Sequence, residues 1–96
     1  MRVGIRLLFG VKGRAPVERS VDVPEGSTVV DATRAAVEVV QDKVCCSPED
    51  VWAIDGITTD AARGRYWFWL LNGRPGPDMP YRHVLRDGDV VEWRYN

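Results

Sequence analysis

Hydrophobic and polar positions alternate from the first residues of the chain. Val3, Ile5, Leu7 and Phe9 fall on one side of Gly4, Arg6 and Leu8, the period-two pattern of a half-buried strand. Gly10 to Pro16 holds two glycines and a proline and reads as a turn. Val17 to Val23 alternates again, with Val17, Val21 and Val23 opposed to Glu18, Ser20 and Asp22, so the first two strands are expected to form an antiparallel hairpin. The period then changes. After Pro24-Glu25-Gly26, Val29, Ala32, Ala36, Val39 and Val40 recur at helical spacing. Ser27 or Thr28 is the expected N-cap, and Asp31 lies in the first turn, where the helix dipole favours a negative charge. This helix is predicted to end near Gln41 to Lys43. Its stripe of Ala and Val lets it sit close to a sheet.

Cys45 to Asp50 reads as a loop and Val51 to Ile54 as a short strand closed by Asp55-Gly56. Thr58 to Arg63 is polar, a loop or a single helical turn. Next come four consecutive aromatics, Tyr66-Trp67-Phe68-Trp69, then Leu70-Leu71 and the turn pair Asn72-Gly73. Successive strand side chains point to opposite faces, so Tyr66, Phe68 and Leu70 oppose Trp67, Trp69 and Leu71. Both faces are large and apolar, and the pattern leaves open which of them is the core. Arg74 to Pro80, rich in Pro and Gly, is expected to be irregular and to follow the surface. Tyr81 to Leu85 is a weak strand or bridge. Asp87-Gly88 turns the chain into a last strand, Asp89 to Tyr95. Strand, strand, helix and further strands describe an α+β protein of β-grasp (ubiquitin-like) type: a mixed sheet with one helix packed on one face.

Composition narrows the function classes. Ninety-six residues are read as one domain, residues 1–96, with 45% hydrophobic and 28% charged residues and a formal net charge of −1. No basic cluster of the kind that dominates phosphate contacts is present, so nucleic acid is not an expected partner. No apolar run approaches a membrane span, and Met1 to Arg6 already reads as strand rather than as a signal segment. The expectation is a cytoplasmic protein, with a trimmed domain of a secreted protein as the alternative. Cys45 and Cys46, the only two cysteines, are adjacent, a geometry that disfavours a disulfide between them, and are read as reduced thiols.

Val23 to Ala32, Gly64 to Gly73 and Asp87 to Tyr95 together resemble the transcobalamin-like C-terminal domain family, over roughly Val17 to Tyr95. The resemblance implies a β-grasp-like module related to soluble-ligand-binding domains. In the vitamin B12 carriers of that family the domain closes over a corrinoid held by a preceding helical barrel. The contacting segments correspond here to Cys45–Trp52 and Tyr66–Leu71, with Ser47 carried over from the first and Trp67 and Trp69 lying in the second. A helical barrel is not among these 96 residues.

The expected ligand-binding residues are therefore Tyr66, Trp67, Trp69, Ser47 and Trp52, with the Cys45–Trp52 loop as a lid. Trp67 and Trp69 are equally read as core beneath the helix, with Tyr66 and Phe68 outside. Trp93 and Tyr95 are read as core or neighbouring-strand residues, and Arg65, Arg82 and Arg94 as solvated charges, the alternative being that they line a groove and pair with an anionic ligand. His83 has no Ser or Cys nucleophile nearby in the chain and is assigned a solvated or capping role. No catalytic constellation, iron–sulfur ligand set, terminal Gly-Gly or phosphate-binding loop stands out. Asp55, Asp60, Asp87 and Asp89 sit at turns without EF-hand spacing, so no metal is expected. The chain thus reads as a non-catalytic binding module with no resident cofactor, cobalamin being the one the resemblance brings in. Its partner is a small flat ligand, corrinoid-like. The alternative is a protein-interaction or homodimerisation domain using the same aromatic face or an edge strand.

Overall fold

A computed structural model describes residues 1–10, 14–44 and 47–96, with side chains described outside 42–52 and 61. Its elements are β1 (Arg2–Phe9), β2 (Val17–Asp22), α1 (Val29–Ala36), β3 (Val39–Val44), β4 (Ser47–Ile54) and β5 (Ile57–Thr58), then a 3-10 turn (Ala61–Arg63), β6 (Trp67–Leu71), β7 (Arg74–Pro75) and β8 (Val90–Tyr95). One sheet has the order β2-β1-β8-β6-β7, and a second, smaller sheet the order β3-β4-β5. β1 pairs antiparallel with β2 and parallel with β8, while β6 pairs antiparallel with β8. This is the expected α+β arrangement, a mixed sheet with one helix.

The alternation seen in the sequence sets the two faces of the large sheet. Val3, Ile5 and Leu7 of β1 align with Val21, Val17, Val91 and Trp93 and are at most 1% exposed. Burying an aliphatic side chain of this size stabilises the fold by about 1.5–3 kcal/mol. The inner face is completed by Val29 and Ala32 of α1, by Ile54 of β4 and by Leu85. The segment Met79–Leu85 is tied beneath α1 through its backbone. Val29 and Val30 N–H donate to His83 and Pro80 carbonyls, Leu85 N–H donates to Ser27 O, and Val84 bridges Thr28.

α1 starts as the sequence requires. The Thr28 hydroxyl accepts from Asp31 N–H at 3.2 Å, and Asp31 Oδ2 accepts from Thr28 N–H at 2.9 Å, a reciprocal capping box. It stops well short of Gln41. Val37 is already extended, with φ −145°, and Val39 and Val40 belong to β3. Glu38 to Val40 is rich in β-branched residues, which sit comfortably on a strand, and Val39 and Val40 pair with Ile54 and Ala53.

A second correction follows from this pairing. Ser47 to Trp52, expected as a lid loop, is the first part of strand β4, hydrogen-bonded to β3 with a register shift between Asp42 and Val44. The side chains of Ser47 and Trp52, and both cysteines, lie outside the described residues, as do Val11 to Gly13 of the first turn. At the Asn72-Gly73 turn both residues have positive φ, 51° and 84°, and the chain returns as β7 before becoming irregular. Asn72 also fastens the turn to β8, accepting from Val90 N–H at 2.8 Å and donating to Asp89 at 3.0 Å.

Candidate functional site

The aromatic strand β6 resolves into an inner and an outer side. Trp67, Trp69 and Leu71 align with Tyr95, Trp93 and Val91 on the core face, while Phe68 and Leu70 align with Arg94 and Glu92 on the other. Trp67 is buried and Trp69 partly so, whereas Tyr66 and Phe68 are 43% and 52% exposed.

Most of the inner aromatics have their polar tips occupied. Trp67 Nε1 donates to Ile57 O at 2.9 Å and Tyr95 Oη donates to Thr58 O at 2.8 Å, which pins β5 to the large sheet. Phe9 packs edge-on to Trp67 at 5.7 Å, and Arg14 lies over the Phe9 ring while pairing with Asp55 at the β4–β5 turn. Trp93 Nε1 donates to Thr33 Oγ1 at 2.9 Å in the core beneath α1. These residues hold the fold together.

Trp69 is different. Its indole N–H has no hydrogen-bond partner among the described residues, and its ring lies 5.5 Å from the His83 imidazole. The ring also lies directly against Gly76, where a Cβ would overlap it. Gly76 N–H donates to Trp69 O at 3.0 Å, and past this bond the chain swings away from β6. The divergence opens a groove of about 560 Å³ with Trp69, Trp67, Gly76 and Met79 among its lining and Asp78, Arg94 and Asn96 at polar positions. That volume falls within the range of small-molecule sites, and the lining sets apolar and aromatic side chains beside a comparable share of polar surface.

Asp78 is held at the groove by the turn it organises. Its Oδ1 accepts from Met79 N–H and from Arg82 Nε, each at 2.8 Å. The backbone hydrogen bond and then the guanidinium lower its pKa below the ordinary carboxylate value, and the Arg82 pKa is raised in return.

The structure thus brings Trp67 and Trp69 to one groove and puts Tyr66 on the exposed face. The β4 positions of Ser47 and Trp52 belong to the smaller sheet. Gly76, Asp78 and Met79 were not singled out from sequence. A Pro-Gly-Pro run announces irregular backbone, but nothing local announces contact with a tryptophan seven residues earlier. His83, read as solvated or capping, is half-buried: its carbonyl serves the α1 N-terminus and its ring packs on Trp69.

The fold has counterparts among known proteins. The chain belongs to the DUF4430 family. That family is described as a domain of unknown function, and the match spans residues 26–96. No curated protein sequence matches the chain. Among solved structures, a candidate metal-binding protein from Ruminococcus gnavus superposes with a TM-score of 0.78 at 12% identity, covering 99% of this chain and 95% of that one. Haptocorrin in complex with Cbi superposes with a TM-score of 0.78 at 17% identity, covering 100% of this chain and 25% of that one. The chain therefore spans about a quarter of haptocorrin's length. At these identities the likeness concerns the fold. Among the described residues no group of three or more His, Cys, Asp or Glu is placed to hold a metal ion, and no helix is long and apolar enough to cross a membrane.

Proposed function

We propose that this DUF4430 chain is a non-catalytic binding module that takes a flat, largely apolar small molecule, corrinoid-like in shape, into the groove beside Trp69. The observation that carries this reading is the contrast among the inner aromatics. Trp67, Trp93 and Tyr95 have committed their polar tips to the fold, whereas Trp69 lines the groove with its N–H unengaged. An aromatic face with an available donor suits a planar ligand that carries acceptors at its edge. Asp78, Arg94 and Asn96 supply polar contacts around it. The fold shared with haptocorrin, solved with Cbi, supports a corrinoid as the first class to test.

The test is calorimetric titration with cobalamin and cobinamide, repeated on Trp69→Ala. Saturable heat at micromolar affinity, weakened at least tenfold by the substitution with near-UV circular dichroism retained, is the expected result. Absence of heat with both compounds, or undiminished binding by a folded Trp69→Ala chain, overturns the assignment of this ligand class to this groove.

A further inference from the structure

The register of β6 against β8 decides where the β6 backbone points. Tyr66 and Asn96 exchange both hydrogen bonds, N–H to O at 2.9 Å and 3.1 Å, and at the far end Asn72 N–H donates to Val90 O. In an antiparallel ladder such reciprocal pairs alternate with pairs whose backbone groups face away. Phe68 and Leu70 therefore bond to β8, while the N–H and C=O of Trp67, Trp69 and Leu71 point towards the opposite edge. β7 covers that edge only in part. Leu71 aligns with Arg74, and Gly76 N–H donates to Trp69 O at 3.0 Å, after which the chain leaves the strand. Three groups remain in a row: Trp67 N–H, Trp67 C=O and Trp69 N–H. None of them has a hydrogen-bond partner among the described residues.

An open strand edge is ordinary where it meets water, but this row is largely withdrawn from it. Trp67 as a whole residue is only 9% exposed. Buried backbone groups are almost always paired, and an orphan costs about as much as a lost hydrogen bond. The groove of about 560 Å³ runs past the same row. Trp67, Phe68, Trp69 and Leu70 all line it although their side chains alternate between faces, as befits a groove that follows the strand's backbone.

We propose that this row reads a ring imide, so that the groove selects flat heterocycles with a pyrimidinedione-type edge. The inference rests on the reading of the groove as a site for a flat small molecule, and names the polar edge that such a molecule carries. The row presents donor, acceptor, donor. A cyclic imide presents carbonyl, N–H, carbonyl in one plane, so each group meets its complement. The two amides lie about 6.7 Å apart, twice the rise of a strand residue, and the imide carbonyls reach both when the outer bonds incline inwards. A ring entering in the plane of the strand passes between Trp69 on the inner face and Phe68 on the outer, which gives both its faces aromatic cover. Three groups are too few for an added peptide strand, whose ladder runs over several residues. A single amide leaves one N–H unmet, and a carboxylate offers no hydrogen to the Trp67 carbonyl. The imide satisfies all three.

The experiment titrates the full chain with lumiflavin and 3-methyllumiflavin, which differ only at the imide nitrogen, and with cobinamide in parallel. Affinity is read by fluorescence quenching, and backbone amide exchange by NMR on the same samples. Lumiflavin is expected to bind at micromolar affinity. The methylated compound is expected to bind at least tenfold more weakly, because it leaves the Trp67 carbonyl unmet. With lumiflavin bound, the Trp67 and Trp69 amides are expected to exchange at least tenfold more slowly, while Phe68, already bonded to β8, keeps its rate. Equal affinity for the two flavins, or binding that leaves Trp67 and Trp69 exchange unchanged, overturns the imide and leaves the flat-ligand reading in place. Binding of cobinamide without binding of lumiflavin does the same. Absence of binding by all three compounds overturns both.

Discussion

At the scale of single residues, the inner aromatics divide by what their polar atoms do, and the division makes different substitutions fail differently. Thr33 is fully buried and its hydroxyl serves two purposes, donating to Val29 O at 2.7 Å and accepting from Trp93 Nε1. Thr33→Val keeps the shape and orphans the indole donor, which is expected to cost about 1–3 kcal/mol in urea unfolding. Gly76→Ala forces a methyl group into the Trp69 ring and is expected to cost about 1–3 kcal/mol by overpacking, with a changed Trp fluorescence spectrum in the folded protein. The two-sidedness of the aromatic strand was legible in the sequence because it follows from period two alone. The identity of the inner face was not. Both faces are large and apolar, and the choice is made by acceptors from distant segments, Ile57 O and Thr33 Oγ1, and by alignment with β8. Gly76 and Met79 went unread for a similar reason, since their role exists only where the chain folds back beside Trp69.

At the scale of elements, the start of α1 was legible and its end was not. Thr28 and Asp31 form a local motif that a sequence displays in full. Thr28→Ala is expected to lower stability by about 1 kcal/mol, read as a shift in the urea midpoint. The C-terminus has no such marker. Val39 and Val40 satisfy the helical stripe and a strand equally, and pairing with Ala53 and Ile54 decides between them. The Asp78–Arg82 turn beside the groove gives an element-level pH dependence. A carboxylate whose folded pKa is lowered stabilises the folded turn above its unfolded pKa, ordinarily 3.8, and that contribution is lost as pH falls through the folded value. Because Asp78 is at the surface, the effect is local. The Met79 amide, which donates to Asp78, is expected to lose exchange protection relative to α1 amides only as pH falls below 3.8 and through the lowered folded value, allowing for the intrinsic pH dependence of exchange. Asp78→Asn is expected to abolish that difference.

At the scale of the whole molecule, β8 is the keystone of the sheet. It lies between β1 and β6, contributing Val91, Trp93 and Tyr95 to the core, and its removal would leave β1 and β6 without a common neighbour. A chain ending before Val90 is expected to lose cooperative unfolding and dispersed amide resonances. Its parallel pairing with β1 joins segments far apart in sequence, as does the Arg2 N–H to Asp87 hydrogen bond across 85 residues. Pairings of that kind form slowly, because the intervening chain must be ordered before they reward it. During synthesis this becomes a matter of timing. The ribosome makes β1 well before β8, although the two are neighbours in the finished sheet. Val3, Ile5 and Leu7 therefore stay without their full cover until Tyr95 has cleared the exit tunnel. For that interval the nascent hairpin carries an apolar face that its later neighbour has yet to cover, and the large sheet closes only after β8 is free.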